Sequence, residues 1–151
     1  MSQPESGIDL ETSLGYLLKE AASALRAAME DALRPLGMTV TQYSCLELLA
    51  QRPGLSSSGL ARGAFITRQS MGVLLQALEK DGLVERAPQA PVGKAKPTRL
   101  TPLGQRRREQ ASAAVRDVED RMLAELTPAD RSEALRLLRS MVGSLRGADD
   151  D

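Results

Sequence analysis

Residues 67–70 read Thr-Arg-Gln-Ser, and behind them the chain turns leucine-rich on one face until Asp81-Gly82. A core needs none of these four hydrogen-bonding side chains. The guanidinium of Arg68 can fork two hydrogen bonds onto guanine in the major groove, and the carboxamide of Gln69 can pair with adenine. The hydroxyls of Thr67 and Ser70 can reach phosphates or bases, and the positive end of a helix attracts phosphate. Helix capping alone would also account for the hydroxyls. The surrounding elements and the charge pattern therefore decide between the two readings.

The formal net charge is zero, which by itself argues against nonspecific binding to a polyanion. The distribution points the other way. Between Arg52 and Arg108 there are eleven Lys or Arg against three acidic residues, Glu79, Asp81 and Glu85, a net +8 balanced by −8 elsewhere. A basic middle between acidic ends predicts a local polyanion-binding surface on a neutral protein. The alternative is that the basic segment pairs with the acidic ends inside the fold.

Other chemistry is poorly supplied. With no histidine, the usual general base and the commonest metal ligand are missing. Phosphate-binding and dinucleotide-binding glycine patterns are absent too, so the sequence supports neither an enzyme nor a metal or cofactor site. A single cysteine, Cys45, rules out an internal disulfide. No apolar run approaches the roughly 20 residues of a membrane span. The start, MSQPESGIDLE, lacks a basic region followed by an apolar stretch, and a cytoplasmic location is the expectation.

At 151 residues the chain can bury one real core. With two Tyr, one Phe and no Trp, that core must come from Leu, Ala, Val and Met, which suits packed helices. Residues 1–8 are expected to be loose. From Leu10, apolar residues at 14, 17, 18, 21, 25, 28, 29, 32 and 33 keep helical spacing until Pro35 and Gly37. Thr39 to Gln51 forms a second helix, with Thr39 and Gln42 at capping-box spacing. Ser56, Ser57 and Ser58 can open a short third helix through about Ala64. Thr67 can cap the fourth, whose buried face is Met71, Leu74, Leu75 and Leu78 and whose stop is Gly82.

After Gly82, Leu-Val-Glu-Arg-Ala reads as a strand. Pro88 to Pro97 reads as a loop, and Thr98-Arg99-Leu100 as the returning strand. Thr101-Pro102 and Thr127-Pro128 each place a hydroxyl cap before a proline at the first helical position. They start helices over roughly 102–125 and 128–146, and an acidic tail, 147–151, follows.

Helix three, the turn at Ala64 to Ile66 and helix four make a helix-turn-helix, with the hairpin placed as a wing. In such a unit the front of the second helix enters the major groove. The DNA-facing set is therefore Ser57, Thr67, Arg68, Gln69, Ser70 and Gly72, the last by leaving room for close approach. Lys94, Lys96 and Arg99 of the wing can follow phosphates or enter the minor groove. Arg106, Arg107 and Arg108 are consecutive on a helix and cannot share one face, so most of them are expected in ion pairs. The helices at both ends are too apolar on one side for a small lobe to cover. A shared dimer interface is the expected solution, presenting two recognition helices to DNA half-sites about one turn apart.

Three stretches in this order, PLGMTVTQYSCLELL, LEKDGLVER and LTPLG, resemble the MarR family, the multiple antibiotic resistance regulators. The likeness runs over residues 10 to 145. It implies a mostly α, winged helix-turn-helix fold with six main helices and a small β-hairpin. The dimerisation helices would be 9–36 and 102–146, flanking a DNA-binding lobe at 37–101. It further implies a homodimeric transcription factor, usually a repressor, that binds double-stranded DNA at a palindromic operator. Many such proteins release DNA on binding a small phenolic or other aromatic compound, in a pocket whose matching region here includes Tyr16, Met38 and Tyr43.

One departure concerns the wing. Where the family usually has an Asp-x-Arg pair, this chain has Val92, Gly93 and Lys94, and Lys cannot make the bidentate fork. Pro97 also removes a ladder donor. The alternative function is thus a winged-helix dimerisation and protein-interaction module with weakened operator binding. In peroxide-sensing relatives the reactive cysteine lies in the first long helix. Cys45 lies in the second, among apolar neighbours, and is expected to be inert.

Overall fold

The computed structural model describes residues 7–86 and 97–147. Residues 1–6 of the expected loose start, all but Gly147 of the tail and all but Pro97 of the hairpin loop lie outside them. Two units are distinguished, one ending at Val118 and the other beginning at Glu119.

Helix α1 spans Leu14–Leu33, four residues shorter at its front than the apolar spacing predicts. Ser13 is the reason: its Oγ accepts the Tyr16 amide at 3.2 Å and sets the helix start. Before it, the amides of Glu11 and Thr12 turn back onto the carboxylate and carbonyl of Asp9. At the other end Pro35 sits in a short 3-10 turn, Arg34–Leu36, closed by Gly37 at φ 67°. Helix α2, Val40–Gln51, opens on the expected capping box. The Gln42 amide meets Thr39 Oγ1, and the Thr39 amide meets Gln42 Oε1.

Helix α3, Ser57–Ala64, is capped by Ser56, and α4, Arg68–Lys80, by Thr67. Gly82, at φ 75°, ends α4 as predicted, letting the Leu83 amide bond back to the Leu78 carbonyl. Strands β1, Val84–Arg86, and β2, Thr98–Leu100, pair antiparallel with Val84 opposite Leu100 and Arg86 opposite Thr98. Val84 and Thr98 turn inward and are buried. Between them Glu85 faces Arg99 on the outer side, where Arg99 Nε donates to Glu85 Oε1 at 2.7 Å.

The core is aliphatic, as the shortage of aromatics requires. Leu33, Leu46, Leu60, Met71, Leu75 and Leu78 are fully buried, with Cys45, Leu49, Val84 and Ala111 among them. Helix α5, Pro102–Met122, joins this core through Ala111. It is also tied to α2 by a mostly buried ion pair, Arg108 Nη1 to Glu47 Oε2 at 2.8 Å. Ser112 donates to the other oxygen of Glu47. The expectation for the three consecutive arginines is met at Arg108 only. Arg106 and Arg107 carry no ion pair among the described residues.

The start of α5 is locked onto the end of α4. The Thr101 hydroxyl donates to the Gly82 carbonyl at 2.6 Å and accepts the Gly104 amide at 3.0 Å, and the Thr101 amide bonds to the Leu83 carbonyl. The backbone approaches so closely here that a Cβ on Gly104 would run into the Leu83 carbonyl oxygen.

In the second unit α5 ends at Met122 rather than near 125, because the chain turns over Leu123 to Leu126. Helix α6, Pro128–Arg146, starts on a capping box of Thr127 and Asp130. No residue of α6 is buried, and Leu135, Leu138, Val142 and Leu145 stand exposed at helical spacing. Among the described residues no helix is long and apolar enough to cross a membrane.

Because a backbone carbonyl cannot step aside as a side chain can, Gly104→Ala should destabilise the fold by about 2–3 kcal/mol. Urea unfolding followed by circular dichroism measures this. An unchanged midpoint would mean that the close approach is not required.

Candidate nucleic-acid interface

Helix α3, the turn at Phe65 and Ile66, and α4 form the helix-turn-helix, and the hairpin follows directly. The turn is tight: the Ile66 amide reaches back to the Ala61 carbonyl at 3.0 Å. Phe65 takes φ 60°, the one positive φ outside glycine among the described residues, and its ring is exposed. Gly63 lets α3 lie close on α2, since an added Cβ would stand 3.0 Å from both Leu48 methyls.

Thr67, Arg68, Gln69 and Ser70 are all exposed. Two of them spend hydrogen bonds on the helix start. Thr67 Oγ1 accepts the Ser70 amide at 3.0 Å and donates to Ser70 Oγ at 2.9 Å. The capping reading of Thr67 is therefore correct as far as it goes, while Ser70 keeps its own hydroxyl hydrogen. Arg68 and Gln69 make no side-chain hydrogen bond among the described residues. Their amides lie in the first turn, where no intrahelical carbonyl reaches them. The front of α4 thus offers two free amides, the positive helix end and two uncommitted polar side chains to solvent.

At about 100° per residue, the line opposite buried Met71, Leu75 and Leu78 runs through Gln69, Val73, Gln76 and Lys80. Gly72 and Arg68 lie on one flank and Ser70 on the other. Val73 and Gln76 are exposed members of this outward line that attention to the polar helix start alone passes over. The signal that finds them is the helical period itself, counted onward from Gln69. An added Cβ on Gly72 would meet nothing within 4 Å, so its surroundings are open. Ser57, in the first turn of α3, is half-buried.

Among the described residues, the charges of the basic segment are largely uncommitted. Arg52, Arg62, Arg68 and Lys80 are exposed and carry no ion pair among the described residues. The pairs Arg86 with Glu79 and Arg99 with Glu85 lie within the basic segment. Only Arg108 with Glu47 joins that segment to another described part of the chain. The basic middle is therefore not neutralised by the acidic ends among the described residues. Arg99 is exposed but partnered by Glu85. Lys94, Lys96 and the Val92-Gly93-Lys94 departure lie outside the described residues.

The expected ligand residues do not share one cavity among those described. Met38, nearly buried, walls a cavity of about 510 Å³ with Arg26, Glu30, Arg34, Thr39 and Thr41 at the junction of α1 and α2. Tyr43, also nearly buried, walls a smaller one of about 230 Å³ with Glu47, Gln51 and Gly63. Tyr16, on the first turn of α1, is half exposed and lines neither. In the larger cavity Arg26 pairs with Glu30 and Arg34 with Asp31, both at 3.1 Å. No cluster of three or more Cys, Asp or Glu able to hold a metal occurs among the described residues.

Cys45 is fully buried, with its Sγ 3.9 Å from the Met71 sulfur. Burial pushes its thiol up to about 11, well above the ordinary range near 8.5, so almost no thiolate exists at neutral pH. In the folded protein a thiol reagent at pH 8 should label Cys45 at least about a hundredfold more slowly than after denaturation. Equal rates in the two states would contradict an inert, packed thiol.

Comparison with known proteins fits this geometry. The MarR family description matches residues 36–95, which begin at the end of the 3-10 turn and take in α2 to β1. The HTH-type transcriptional repressor Rv2887 of Mycobacterium tuberculosis is 39% identical over 135 residues, covering 89% of this chain and 97% of the relative. The crystal structure of Rv2887 in complex with salicylic acid superposes with a TM-score of 0.72 at 40% identity, over 86% of this chain and 96% of that one. Its complex with DNA gives 0.70 at 39% identity, over 87% and 99%. A helix-turn-helix with a hairpin behind it, an uncommitted recognition face and relatedness over nearly the whole chain lead to one conclusion: this protein belongs to the MarR family of winged-helix transcriptional regulators.

Proposed function

We propose that the protein is a homodimeric repressor that binds a palindromic operator in double-stranded DNA and releases it when a small aromatic or phenolic compound binds. The observation that carries the DNA-reading part is the front of α4, where Arg68 and Gln69 stand exposed with no side-chain hydrogen bond among the described residues. A guanidinium and a carboxamide side by side at a helix start are the donors and acceptors that base edges require. Thr67, Ser70 and Ser57 serve phosphates, and Gly72 keeps the flank low. Lys94, Lys96 and Arg99 act on the backbone from the wing. On this reading the regulator works in the cytoplasm.

Homodimerisation is supported by apolar surface that this single chain leaves uncovered. Leu14, Leu17 and Leu18 of α1 and the exposed row of α6 are each a helical stripe facing solvent, and long helices draw their stability from burying such a stripe. On this reading 9–36 and 102–146 serve dimerisation and 37–101 forms the DNA-binding lobe. For the effector, the cavity beside Met38 has room for one aromatic ring, and its two wall arginines would exchange their pairs with Glu30 and Asp31 for a ligand carboxylate. Tyr16 and Tyr43 remain candidate ligand contacts in the assembled dimer.

A mobility shift against the DNA upstream of its own gene, at several salt concentrations, tests the reading. Specific binding should weaken steeply with salt, and added salicylic acid should weaken it further. Arg68→Ala should cost about 1–3 kcal/mol and relax one base position. Binding seen only at low salt and indifferent to sequence would instead leave a winged-helix interaction module.

Sedimentation equilibrium of the purified protein should return the mass of two chains. A mass of one chain at micromolar concentration would rule out the shared interface.

A further inference from the structure

Helix α4 carries one apolar side chain where none is needed. Val73 is 64% exposed, while the other large apolar residues of the helix, Met71, Leu74, Leu75 and Leu78, are buried or half-buried. It adds nothing to the core. As a β-branched residue on an exposed helical position it is also a poorer choice than alanine for the helix itself. Its place explains it better. Val73 lies one turn behind Gln69 on the outward line of α4, beside Gly72, whose missing side chain leaves the flank open.

The major-groove edges of the four bases present donors, acceptors and a single apolar group, the C5-methyl of thymine. We propose that Val73 is a specificity-determining residue that packs against the C5-methyl of a thymine in each operator half-site. Four residues of helix rise about 6 Å, less than two base-pair steps of 3.4 Å. The thymine therefore lies one or two steps from the base pair that Gln69 contacts. Burying the two methyl surfaces against each other removes both from water and discriminates thymine from cytosine without a hydrogen bond. The assignment rests on α4 being the DNA-reading helix.

The test begins with duplexes selected by the purified protein from a random pool. Each thymine of the selected site is then replaced singly by deoxyuridine, which lacks only the methyl group. The wild-type protein should lose about fourfold in affinity at one thymine per half-site, the effect of uncovering one methyl. Val73→Ala should fold with an equal or slightly higher melting temperature, because the side chain is outside the core and alanine is the better helix former, and should show no loss at that thymine. Wild-type indifference to deoxyuridine at every position, or an equal loss in Val73→Ala, overturns the assignment while leaving α4 as the reading helix. A protein that selects no sequence at all brings down both.

Discussion

The placement of helix α4 depends on a contact that has no side chain on one of its two surfaces. Gly104 brings the first turn of α5 against the carbonyl of Leu83, at the point where α4 has ended and β1 is about to begin. Thr101 secures the approach, donating its hydroxyl to Gly82 and receiving the Gly104 amide. Three elements, the end of α4, the base of the hairpin and the start of α5, are thereby held at one place. The far end of α4 is fixed here rather than by its own sequence.

The same lobe shows how a core poor in aromatics stays specific. Its buried side chains are nearly all Leu, Met, Val and Ala, which pack without directional bonds and tolerate exchange. Direction comes from the polar groups at element ends. Ser13, Thr39, Ser56, Thr67 and Thr127 each accept a backbone amide at a helix start, and Gly37 and Gly82 turn the chain at helix ends. The Arg108 and Glu47 pair adds a charged tie between α2 and α5, in a setting largely shielded from water.

Electrostatics explain how a neutral protein can keep a locally basic segment. The acidic residues available to the basic segment mostly belong to it: Glu79 lies near Arg86 and Glu85 holds Arg99. Such exposed pairs contribute little to stability but leave Arg52, Arg62, Arg68 and Lys80 uncommitted among the described residues. Uncommitted cations therefore remain in the basic segment although the whole chain is formally neutral.

Local chemistry was legible from the residues alone. Hydroxyl caps, a proline after a cap, a glycine after a leucine row and short runs on either side of a proline-rich stretch are rules of short range, and they located α2, α3, α4, α6 and both strands. Where they competed, the boundary moved. The apolar period ran on to Leu10, but Ser13 captured an amide and started α1 at Leu14. What required the folded chain was anything set by distant residues. That Gly104 is glycine because of Leu83, and that Arg108 and not its two neighbours finds a carboxylate, both depend on which surfaces meet. A sequence encodes each side chain's capacity to bond or bury itself, but only tertiary packing decides which capacities are used up and which remain for a partner.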